Sequence, residues 1–129
     1  MSGDTLVTLH GRSVLACAAD GPKLCEGADA LRVIGEASGY GAELVVLPVR
    51  RLAVEFFTLR SGVAGELMQK FVNHRMPLAV VGDISVHVAR SAALRDFVTE
   101  ANEGHQLWFV DTMSELEEKL RRQGESATA

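Results

Sequence analysis

Hydrophobic positions change period several times along this chain, and each change marks an element. Thr5-Leu-Val-Thr-Leu9 and Ser13 to Ala19 are β-like runs, separated by His10-Gly11-Arg12, a connection of hairpin length. After a turn at Asp20-Gly21-Pro22, the residues Ala28, Leu31, Ile34 and Ala37 recur at helical spacing, and Gly39 and Gly41 predict the stop. Glu43 to Val49 is unbroken in apolar residues from Leu44 onward, as a buried parallel strand is, with Pro48 at its end. A connection from Arg50 to Leu59 holds the pair Phe56-Phe57. Ser61-Gly62 then opens a second helix, with Val63, Ala64, Leu67, Met68, Phe71 and Val72 on one face. Leu78 to Gly82 is a fourth strand and Asp83 to Arg90 a predicted loop. Leu94, Phe97, Val98 and Ala101 form the next helical stripe, and Gln106 to Val110 the fifth strand. Thr112 with Glu115 reads as a capping box for a last helix with Met113, Leu116 and Leu120 inward.

The predicted order is β-β-α-β-α-β-α-β-α. Alternation after the hairpin calls for a mostly parallel sheet with right-handed crossovers, to which the hairpin adds one antiparallel strand. The expectation is a single α/β domain with a five-strand mixed sheet over residues 1–123 and a disordered polar tail over 124–129. The length of 129 residues suits one domain, and 47 % hydrophobic with 23 % charged residues excludes wholesale disorder.

A net charge of −4 gives no bulk attraction to nucleic acid or to an acidic membrane. The longest apolar run, Leu44 to Val49, is far too short to span a bilayer, and the start lacks signal-peptide features, so a cytoplasmic protein is expected. Cys17 lies in a strand-like run as a small hydrophobe; Cys25 precedes a helix, with no histidine near it in sequence to act as a base. His10, His74, His87 and His105 have no partner at ligand spacing, so no metal site and no cofactor motif is expected.

The stretches Phe57-Thr-Leu-Arg-Ser-Gly-Val-Ala-Gly-Glu-Leu-Met-Gln-Lys-Phe71, Leu78-Ala-Val-Val-Gly-Asp-Ile-Ser85 and Ser91-Ala-Ala-Leu-Arg-Asp-Phe97 closely resemble the bacterial family known as domain of unknown function 4180. That resemblance covers most of the chain and implies no activity. More distantly, the element order and the Ser61-Gly62 helix start resemble the STAS domains of anti-sigma-factor antagonists. There an Asp-Ser-Ser-Gly motif stands at this place, and the serine before glycine is phosphorylated. Here the tetrapeptide is Leu59-Arg60-Ser61-Gly62, without the acidic residue and after a longer connection. The STAS resemblance implies a STAS-like fold and a non-catalytic regulatory domain acting through contacts with a protein partner, with Ser61 as the modification point.

In open α/β sheets, ligands bind beyond the carboxyl ends of the parallel strands. Those ends bring together Asp20 and Gly21, Arg50 and Arg51, Gly82 to Ser85, and Asp111 and Thr112. Arg60, Ser61 and Gly62 join them at a helix start, where backbone N–H groups and the helix dipole favour an anion. Its structural alternative is a Ser61 cap, with Gly65 allowing close packing. Asp83 and Ser85 could orient a ligand or form a turn in which Asp83 accepts from the backbone two residues on; His87, Arg90, Ser91 and Arg95 follow within reach. Glu66 is a candidate acid or base if drawn under the core edge. Phe56 and Phe57 cannot both turn easily into one core, so one is expected at the surface, marking with Ser61 an interaction surface. Two functional classes follow. One is a protein-interaction domain using Phe56, Phe57 and Ser61, with a homodimer as a candidate assembly. The other is a binder of a small anionic ligand, or a small enzyme, using Arg60, Ser61, Gly62, Asp83, Ser85 and Arg95.

Overall fold

The structure, a computed structural model, describes residues 4–128, with side chains described through residue 123. Strands β1 (Thr5–Leu9) and β2 (Arg12–Ala16) form an antiparallel hairpin. Its two-residue turn, His10-Gly11, has φ of +49° and +80°, the type I′ combination whose twist matches that of the strands. The chain continues through α1 (Gly27–Gly39), β3 (Leu44–Pro48), α2 (Val63–Asn73) and β4 (Leu78–Val81). Then follow α3 (Ser85–Arg90), α4 (Ala92–Glu103), β5 (Leu107–Val110) and α5 (Met113–Thr128).

The sheet order is β1-β2-β3-β4-β5, so neighbours in sequence are neighbours in space, and every pair after the hairpin is parallel. Adding parallel strands in sequence order with crossovers of one hand puts the intervening helices on one face. Ala30, Val33, Ile34 and Ala37 of α1, Ala64, Leu67 and Phe71 of α2, and Leu94 of α4 accordingly share one core with Leu15, Val45, Leu47, Leu78, Val80 and Phe109. The alternate strand residues Val14, Leu44, Val46, Ala79, Trp108 and Val110 point to the other face, under Leu116 and Leu120 of α5. Burial on both faces is why these strands carry no polar alternation. Among the described residues, no helix is long and apolar enough to cross a membrane.

The expected mixed α/β sheet is therefore present, with local differences. The inward stripe of α1 is Gly27, Ala30, Val33, Ile34 and Ala37; Leu31 lies on the outer side, 41 % exposed. The smaller residues face in because α1 packs closely on α2, where a Cβ on Gly27 would come within 2.8 Å of Lys70. Val72, expected inward on α2, is exposed. Asp83 to Arg90 is not all loop, since α3 occupies its last six residues. The helical backbone of α5 continues past Gly124 to Thr128. Otherwise the expected tail falls outside the residues whose side chains are described.

Candidate functional site

At the ends of β2 and β3, the expected ligand group divides. Arg51 is only 6 % exposed. Its Nε–H donates to the Pro22 carbonyl at 2.8 Å and Nη1 to the Ala18 carbonyl at 2.9 Å. The same guanidinium lies 3.8 Å from the buried carboxylate of Asp4, which accepts from the Ala18 N–H. Arg51 thus ties the start of β1 and the β2–α1 loop to the end of β3, and has no face left for a ligand. Cys17, nearby, has its thiol pushed up to about 12, chiefly by burial and then by the negative charge of Asp4. It is an inert core thiol, while Cys25 is exposed.

Two clefts open farther along the carboxyl edge. After β4 the chain turns to α3 and α4 on one face, whereas after β5 it turns to α5 on the other. These diverging connections leave a crevice between the strand ends, as at a topological switch point. It measures about 300 Å³ and brings together Asp83, Ser85 and Arg95 with Thr99, Asp111 and Glu115. Gly82, at φ +143°, lets β4 leave the sheet tightly; a Cβ there would come 2.7 Å from Val49. The polar groups of this crevice are largely committed to their own backbone. Asp83 accepts from the Ser85 N–H at 2.8 Å, which holds its carboxyl below the usual carboxylate range. Glu115 accepts from the Asp111 N–H, and Thr112 from the Glu115 N–H, so the expected cap forms with its return bond shifted one residue. Arg95 donates to the Val88 carbonyl and pins α3.

The second cleft, about 500 Å³, lies between the β3–α2 connection and the α3–α4 corner. Its polar lining comes from Thr58, Arg60, His87, Arg90 and Ser91, and its apolar lining from Val54, Phe57, Leu59 and Ala93. Phe56 and Phe57 sit in a 3-10 turn (Val54–Phe57) that sends both rings inward, with exposures of 0 % and 6 %. Phe56 packs on Phe109, and the ring of Phe57 is covered by the His87 imidazole, stacked at 4.2 Å and 7°. The expectation that one phenylalanine projects into solvent is therefore wrong. A short helical turn rotates successive side chains by roughly a third of a turn, enough for both to reach the same core.

Arg60 and Arg90 carry exposed guanidinium groups. Neither has a carboxylate or carbonyl partner among the described residues. Among the described residues the cleft has no acidic lining residue, although the chain as a whole is acidic. Ser61 and Gly62 line neither cleft. The Ser61 hydroxyl donates to the Glu55 carbonyl at 2.7 Å and accepts from the Val63 N–H at 3.2 Å, closing the turn that enters α2. Gly62, at φ +83°, is the helix N-cap, a backbone state that favours glycine. Gly65 has open space around its Cα, so close packing does not explain it. Glu66 is exposed rather than drawn under the core.

The six candidate ligand residues thus fall into three places: Asp83, Ser85 and Arg95 in the crevice, Arg60 in the basic cleft, and Ser61 and Gly62 in the helix entry. The pairing of Arg60 with His87 and Arg90 was hidden in sequence by the segment between them, which holds all of α2 and β4. Its trace there was the density of polar donors after Ser85. Among the described residues, no group of three or more His, Cys, Asp or Glu side chains converges as a metal site would.

The family model described as a domain of unknown function, DUF4180, matches residues 9–120, and the chain belongs to that family. No curated protein and no solved structure matches it.

Proposed function

We propose that this DUF4180 domain is a non-catalytic binding module for a small anionic molecule, held in the cleft between Arg60 and Arg90. The observation that carries this reading is the pair of unpartnered guanidinium groups in one concave site without a carboxylate. Guanidinium forks match phosphate and carboxylate oxygens, and a charge-assisted hydrogen bond contributes about 1.5–3 kcal/mol. The first turn of α4 enters the same cleft at Ala93 and adds the positive end of its dipole. Val54, Leu59 and the edge of Phe57 suit a ligand with an apolar body behind its anionic head. Binding is favoured over catalysis because the cleft assembles no nucleophile–base pair among the described residues. The Ser91 hydroxyl accepts from the Leu94 N–H, and no hydroxyl among the described residues is hydrogen-bonded to His87. The competing reading, an aromatic-anchored protein surface, loses its anchors with Phe56 and Phe57 buried.

Calorimetric titration with inorganic phosphate, aryl phosphates, nucleotides and aryl carboxylates tests the reading. Arg60→Ala and Arg90→Ala should each weaken the best ligand about 10- to 100-fold, the equivalent of one charge-assisted bond. Arg122→Ala, on α5 and outside the cleft lining, should leave affinity unchanged. Failure of every anion to bind, or full affinity in the Arg60→Ala/Arg90→Ala double variant, would overturn it.

A further inference from the structure

The two edges of the sheet are finished differently. Along β5, the carbonyls of Gln106 and Val110 accept from β4, so the Phe109 N–H points outward. It is met there by Asn102 Oδ1 at 2.7 Å. Beside it the Trp108 indole donates to the Gly104 carbonyl, and Lys119 covers the ring at 5.0 Å. Such plugs and charges are how proteins protect an edge strand. At the opposite edge, β1 pairs with β2 and with nothing else among the described residues. Its sequence, Thr-Leu-Val-Thr-Leu, has no charge, proline or glycine, and Leu6 is 44 % exposed.

The register says which β1 groups face outward. In β2, the Ser13 carbonyl accepts from Glu43 and the Cys17 N–H donates to Val46, so odd-numbered residues bond toward β3 and even-numbered ones toward β1. Their partners Thr5, Val7 and Leu9 therefore bond inward. The N–H and C=O groups of Leu6 and Thr8 face the open edge. These two residues are placed symmetrically about Val7. A two-fold axis through Val7 sets Leu6 of one chain opposite Thr8 of another, and the reverse. Each such pair exchanges two hydrogen bonds, so the seam closes with four and leaves no mismatched group.

We infer that β1 is a self-complementary dimer edge, joining two copies of this chain antiparallel into one ten-strand sheet. A second copy is the occupant that meets this edge in register: its own β1 brings no charge, proline or glycine to the seam, and the two-fold axis pairs every outward group. Val7 and Leu9 already pack at the margin of the core under α5, so the joint makes that core continuous between protomers. The inference stands independently of the anion cleft, whose lining includes no residue of β1 or β2.

Light scattering over a dilution series, with hydrogen exchange resolved to single amides, tests it. The wild-type chain should have the mass of two copies, and the Leu6 and Thr8 amides should be protected alongside that of Val7. Thr8→Pro removes an outward N–H while leaving the bonds to β2, and should give a folded monomer. If Thr8→Pro fails to fold, Leu6→Lys serves the same purpose by placing a charge at the seam. A wild-type monomer, a dimer that survives Thr8→Pro or Leu6→Lys, or freely exchanging Leu6 and Thr8 amides would each overturn the inference.

Discussion

Replacing Arg51 with methionine keeps most of the aliphatic stem and removes one buried charge. Three interactions go with it: the bonds to the carbonyls of Pro22 and Ala18, and the approach to Asp4. The Arg51 and Asp4 side chains are 7 % and 3 % exposed, so water cannot take the place of the lost groups without loosening the site. Removing one member of a buried pair costs about 3–5 kcal/mol, against a total stability of about 5–15 kcal/mol for a domain. Arg51→Met should therefore lower the urea midpoint by about a fifth of its value or more, with the slope little changed. In Asp4→Asn the guanidinium keeps both carbonyl partners, and the new amide oxygen can still accept from Ala18. This variant should lose less, about 1–3 kcal/mol. Combining the two substitutions removes both charges together, so the losses should fall short of additive by at least about 1 kcal/mol. Urea unfolding of the four proteins measures that coupling. A loss below about 1 kcal/mol for Arg51→Met, or additivity within about 0.5 kcal/mol, would refute the assignment of Arg51 as a buried tie.

Asp29 accepts from the N–H groups of Cys25 and Glu26 at the start of α1, and the Cys25 bond is the main cause holding its carboxyl below the ordinary value. Its contribution is complete above the unfolded carboxyl pKa of about 4 and fades as pH falls through the lower folded value. Asp29→Ala should thus lose about 1 kcal/mol at neutral pH and progressively less in acid; a pH-independent loss in urea melts would contradict this. A thiol reagent near pH 8 should modify one cysteine per folded chain, with none in Cys25→Ser and both after denaturation. Two fast thiols in the native protein would show Cys17 to be accessible. Ser61→Asp keeps the acceptor for the Val63 N–H and adds a charge the helix dipole favours, but it loses the hydroxyl that donates to the Glu55 carbonyl, so it should cost about 1 kcal/mol. The same charge beside Arg60 should weaken anion binding several-fold in titration; unchanged affinity would leave Ser61 as a turn residue alone.

Strands were the most legible part of this sequence. Leu44 to Leu47 are apolar without interruption, and only a strand buried on both faces requires that over so short a run. Helix α1 shows where the pattern is ambiguous: Ile34 and Ala37 belong to both stripes, but at the start of the helix Ala28 and Leu31 fit the spacing as well as Gly27 and Ala30, and packing against α2 selected the smaller pair. Helix α3 is too short to display a helical period, and Asp83 starts it with the same bond that makes a turn. Arg51 and Arg60 are both arginines on one connection. Only the path of the chain separates a buried tie from a cleft wall, because the partners Asp4, Ala18 and Arg90 are remote in sequence.

Sequential strand order also governs how this molecule can be made. Each new strand finds its neighbour already in place at the growing edge, so the sheet can assemble in the order in which a ribosome delivers it, with no strand held open for a later insertion. The α1, α2 and α4 layer is laid down along the way. The opposite face receives side chains from α5 alone among the described helices, and α5 follows all five strands. Until it emerges, Val14, Leu44, Val46, Trp108 and Val110 form a bare apolar wall on a nearly finished domain. The nascent chain is thus most in need of a chaperone between the emergence of β5 and that of α5.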